Sequence, residues 1–76
     1  FIANGYLRYR QGRYEEAHEA FVHGLELDAD NALALYGKGV SAVRLGRQAA
    51  GDGDITLARN RSQRAISLYA NAGMAP

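Results

Sequence analysis

The stretch HEAFVH, residues 18–23, sets two histidines around an acid. It is one residue longer than His-Glu-x-x-His, in which a helix holds zinc and a glutamate activates the metal-bound water. The extra residue decides the chemistry. Ligands at i and i+4 stand about 40° apart around a helix, whereas His18 and His23, five apart, stand about 140° apart. Only a π-bulge between them would realign the pair, and such bulges are rare. The chain has no cysteine to complete a site, and Glu19 is left without a metal-bound water. His18 is expected to flank a buried stripe centred on Phe21, and His23 to face largely away from it.

Two further stretches carry the residue types of a site without its spacing. YGKGV, residues 36–40, places glycines around Lys38. A phosphate loop instead needs G-x-x-x-x-G-K-[ST] after a strand, so that free backbone N–H groups face the phosphates. GDGDITLARN offers Asp52 and Asp54 at calcium-loop spacing, but Leu57 stands where that loop needs glycine and Gln63 where it needs a bidentate glutamate. Either aspartate suits the start of a helix better, by accepting free N–H groups. No Ser/His/Asp or Cys/His arrangement emerges. The reading is a chain that is not an enzyme, with no catalytic residue, no metal ligand and no cofactor.

Composition frames that result. Seventy-six residues, 47% hydrophobic and 22% charged, suit one small globular domain. No apolar run reaches the length of a membrane span. The chain starts at Phe1 rather than Met, which predicts a piece of a longer protein or a processed product. Charge is unevenly placed. Residues 1–31 hold three arginines against six acids, a net of −3, and residues 32–76 hold six bases against two acids, a net of +4. That is too mild for a nucleic-acid tail.

Shifting the chain by 34 lays it on itself. Gly5 falls on Gly39, Gly12 on Gly46, Arg10 on Arg44, Arg13 on Arg47, Phe1 on Leu35, Phe21 on Ile55 and Gly24 on Ala58. The local pattern is helical. In YEEAHEAFVHGLEL the spacing gathers Tyr14, Ala17, Phe21, Gly24 and Leu25, with Leu27 as a further candidate, while Glu15 and Glu16 complement the helix dipole. Asp30 or Asn31 can cap the next helix, whose apolar residues are Leu35, Gly39, Ala42 and Val43. Gly12 and Gly46 fall between helices. Gly5 and Gly39 fall inside them, at about 1 kcal/mol each against Ala, which predicts close approach by a neighbouring helix. Ala65, Ile66, Tyr69 and Ala72 form a last narrow stripe ending at Gly73. Five helices are expected, near 1–11, 14–27, 32–45, 48–59 and 63–72. The start of the fourth is the least defined, with Asp52 or Asp54 as its expected N-cap.

The period, QGRYEEAHEAF and YGKGVSAVRLGR together resemble the tetratricopeptide repeat family, whose pattern runs W-x-x-L-G-x-x-Y, then A-x-x-x-F, then P. Phe1 stands at the Trp position, Gly5 at the glycine, and Ala17 with Phe21 at A-x-x-x-F. The second copy matches through Leu35, Gly39, Gly46, Ile55 and Ala58. Departures are Asn4 and Lys38 for the leucine, Arg8 and Ala42 for the tyrosine, Ala29 for the proline and Gly51 for the second alanine. The resemblance covers about residues 1–61 and implies an all-α, right-handed helical-repeat solenoid from the C-terminal part of a repeat array. Its parts would be repeat 1 over 1–31, a degenerate repeat 2 over 32–61, and a capping helix over 62–73 that hides the last repeat from water.

It also implies a protein-protein interaction module, in which the first helix of each repeat lines a concave peptide groove. That face here comprises Ile2, Tyr6, Tyr9 and Arg10, then Tyr36, Val40, Val43 and Arg44, with Asp30 and Asn31 at its edge. The expected partner is a protein or peptide with an apolar or aromatic segment near an acid, since arginine grips a carboxylate through two hydrogen bonds. The lysine- and asparagine-lined clamp of related domains that bind chaperone C-termini is not expected. Two alternatives stand beside this reading. Arg59, Arg61 and Arg64 could make a nucleic-acid-binding helical repeat, although no basic stripe continues from them. The same apolar residues could instead serve a purely structural or self-associating segment, as a homodimer. No membrane partner is expected.

Overall fold

A computed structural model describes residues 2–71 and 73, with the side chains of Ile2, Ala65, Tyr69 and Ala70 outside the description. Among the described residues there are five helices and no strand: α1 Ile2–Arg10, α2 Tyr14–Leu27, α3 Ala32–Arg44, α4 Gln48–Arg61 and α5 Gln63–Asn71. Consecutive helices pack on one another, and α3 lies at the centre, touching all four others.

The repeat is visible bond by bond. After α1, the Arg13 N–H donates to the Arg8 carbonyl at 2.9 Å and the Gly12 N–H to the Tyr9 carbonyl at 3.0 Å. After α3, Arg47 donates to Ala42 at 2.8 Å and Gly46 to Val43 at 3.0 Å, each bond displaced by 34 residues. Both are Schellman turns, which satisfy the last free carbonyls of a helix through a left-handed residue. Gly12 and Gly46 fill that position at φ +77° and +83°, where a Cβ would be strained.

These turns also launch the second helices. The Arg13 and Arg47 carbonyls accept from Ala17 and Gly51, both at 2.9 Å. Here the expected N-cap of α4 is corrected. The helix opens at Gln48, and its cap position, Arg47, makes no side-chain capping bond. The backbone turn itself starts the helix. Asp52 therefore lies inside it, accepting from the Gln48 Nε2 at 2.9 Å, and Asp54 pairs with Lys38 of α3 at 3.2 Å. The α2–α3 junction differs. There the Asn31 side chain accepts from the Ala34 N–H at 3.1 Å, as the sequence anticipates.

Phe21 anchors the core. It is fully buried, and its ring lies between glycines of two other helices. A methyl group built on Gly5 of α1 would stand 2.8 Å from the ring, and one on Gly37 of α3 would collide with it. Gly39 and Gly51 do the same for α3 and α4. A methyl on Gly51 would come 2.6 Å from the Gly39 carbonyl oxygen. Losing a Cβ thus gains backbone contact, the repayment that a glycine inside a helix requires. The stripe on α2, Ala17, Phe21 and Gly24, recurs on α4 as Gly51, Ile55 and Ala58. Leu27 does not belong to it. It is exposed, because two residues beyond the half-buried Leu25 a helix has turned about 200°.

Candidate protein-binding face

Helices α1 and α3, the first of each repeat, lie in contact, and their expected groove residues separate into open and closed ones. Arg10 is exposed and Tyr6 half-buried. Arg10 Nη1 donates to the Tyr6 hydroxyl at 3.1 Å, and its guanidinium carbon lies 5.9 Å from the centre of that ring, within reach of a cation–π attraction. Arg44 is exposed as well, and its Nε donates to the Tyr9 hydroxyl at 3.1 Å. This bond joins the two repeats. It stabilises the charged guanidinium, holding the Arg44 pKa above its usual value. Tyr9 is buried, with Tyr14 edge-on at a centroid distance of 5.2 Å.

The remaining expected groove residues are turned elsewhere. Val40 is fully buried and Tyr36 nearly so, at 2% exposure. Burial pushes the Tyr36 hydroxyl pKa up, while Arg59 acts against that rise. Both residues share the core cluster with Ile66 of α5. Val43 is half-buried, and its Cγ2 atom faces Gly51 of α4. Ile2 lies outside the described side chains, as do Phe1 at the Trp position and Ala65, Tyr69 and Ala72 of the last stripe. At the expected edge, Asp30 accepts from Arg61 at 2.8 Å, which ties one of the three clustered arginines to the α2–α3 loop.

The residues first singled out for chemistry are dispersed. His18 is half-buried and its pKa is lowered, by burial and then by Arg47 and Lys38. His23 is exposed, with its Nδ1 3.6 Å from Glu26. No group of three or more His, Cys, Asp or Glu gathers to hold a metal among the described residues. None of the described helices is long and apolar enough to cross a membrane.

Two contacts escaped the sequence reading. The Tyr9–Arg44 bond crosses between helices, so no local spacing signals it. Gly37 against Phe21 had a signal, since a second glycine in the helix of YGKGV implies a second close neighbour.

Matching backbone turns 34 residues apart, with paired helices stacked on a shared core, define a helical-repeat protein. A family model described as TPR repeat matches residues 5–46, more than half of the chain. The chain belongs to the tetratricopeptide repeat family, whose repeats generally serve as protein-protein interaction modules and are typically non-catalytic. No curated protein and no solved structure gives a significant match.

Proposed function

We propose that this chain binds a protein partner along the face shared by α1 and α3, through an apolar or aromatic segment that carries an acid. The supporting observation is the pair Arg10 and Arg44. They recur 34 residues apart, both are exposed, and each is braced by a tyrosine hydroxyl at 3.1 Å. A braced guanidinium has lost part of its conformational freedom before binding, and its planar fork matches a carboxylate in shape and charge. Tyr6 adds a rigid aromatic surface beside Arg10. Of the other expected groove residues, Tyr9, Tyr36 and Val40 are buried and support this face from beneath.

Titration with a peptide that is apolar and acidic should move the NMR signals of Tyr6, Arg10 and Arg44. Arg10→Gln with Arg44→Gln should weaken binding by at least about 100-fold, since charged hydrogen bonds contribute roughly 1.5–3 kcal/mol each. Shifts confined to α2 and α4 would reject this face.

A further inference from the structure

We infer that α5 is an exchangeable occupant of the binding face, standing where an amphipathic helix of the partner docks. The inference rests on the groove reading above and gives its partner a conformation.

The departure from the repeat begins at one residue. Asp28 and Ser62 are equivalent. Each ends a second helix in extended backbone and donates its N–H four residues back, to Gly24 at 3.0 Å and to Ala58 at 2.9 Å. After Asp28 the chain uses residues 29–31 before α3 begins at Ala32. After Ser62, α5 begins at once with Gln63. A third repeat in register would open its first helix at residue 66. Helix α5 thus starts three residues ahead of that register. It comes to rest on α3 and α4, where Ile66 joins the cluster holding Tyr36 and Val40.

The repeat provides its own comparison. Val40 is equivalent to Tyr6, yet Val40 is sealed and Tyr6 is half-buried. Beyond α5, Gly73 lies beside the end of an α1 side chain: a Cβ on it would stand 3.7 Å from Arg10 Nη1. Ile66 thus lies with the α3 part of the face, and Gly73 near Arg10 of its α1 part.

Among the described side chains of α5, Ile66 is buried and Leu68 is exposed. The helix is nine residues long, short for independent stability. Leu68 is 61% exposed, and a single residue, Ser62, joins α5 to α4. Residues 63–71 contain Arg64 but no Asp or Glu. A partner helix with the same apolar spacing and an added acid makes a carboxylate contact that α5 cannot make from within 63–71.

Hydrogen exchange on the intact chain tests the release. The amides of α5 should exchange at least about tenfold faster than those of α3 through local opening. A fluorescent peptide of residues 62–73 should bind Ile66→Ala about tenfold more tightly than the unaltered chain, because apparent affinity scales with the fraction already open. Leu68→Ala should leave the affinity unchanged. Exchange of α5 in step with α3, equal peptide affinity for the chain and Ile66→Ala, or global unfolding of Ile66→Ala would each overturn the inference. If the apolar acidic peptide still moves Tyr6 and Arg10 while Ile66→Ala has no effect, the exchange fails and the groove reading stands. If neither peptide binds a chain whose α5 is already open, both fail.

Discussion

Phe21 occupies a slot floored by two glycines, so its truncation leaves a void that only backbone movement could fill. Phe21→Ala should lower stability by roughly 3–5 kcal/mol in urea denaturation. His23→Ala, on the exposed side of the same helix, should change it by less than about 0.5 kcal/mol. His18 carries a pH dependence. Its pKa in the folded chain is below the ordinary 6.5, chiefly through burial. The unfolded chain therefore takes up the proton first as pH falls, and stability declines from about pH 7 downward until the folded form titrates too. Arg47 and Lys38 add to that penalty, and Glu15 and Asp54 oppose it. Melting temperatures measured between about pH 7.5 and 5.5 should fall less steeply for His18→Gln.

At the scale of elements, the glycines of α4 separate two roles of one residue type. A methyl on Gly53 meets nothing within 4 Å. Gly53→Ala should therefore stabilise the chain by about 0.5–1 kcal/mol, as removal of an exposed mid-helix glycine does. Two residues earlier, Gly51→Ala drives its methyl against the Gly39 carbonyl and Val43, and should destabilise by about 1–3 kcal/mol. Opposite shifts in melting temperature for this pair would show that α3 and α4 meet backbone to backbone. The spacing of apolar residues, extended by the 34-residue repeat, located the five described helices, because a helix buries one stripe whatever it packs against. The expected cap at Asp52 or Asp54 failed for a local reason. Sequence patterns recognise side-chain caps, and this helix is started by a backbone turn.

Across the whole molecule, the opposite charges of the two halves meet within the chain. Arg47 reaches Glu15 at 3.2 Å, and Arg61 reaches Asp30 at 2.8 Å. Exposed pairs of this kind contribute about 0–1 kcal/mol, so they orient the repeats more than they stabilise them. They also draw Arg61 away from a continuous basic surface. The chain should elute from heparin at low salt, near about 0.1–0.2 M, as few phosphate contacts imply. The 34-residue repeat, the helices, the turn glycines and the Phe21 stripe were legible in the sequence, because each follows from local geometry repeated along the chain. The accessibility of the face was not. Tyr36 and Val40 have the spacing of groove residues, but whether they meet water depends on where α5 comes to rest. Ser62 alone links α4 to α5, whose Ile66 joins their cluster on α3, and only the folded chain places residues so distant in sequence together.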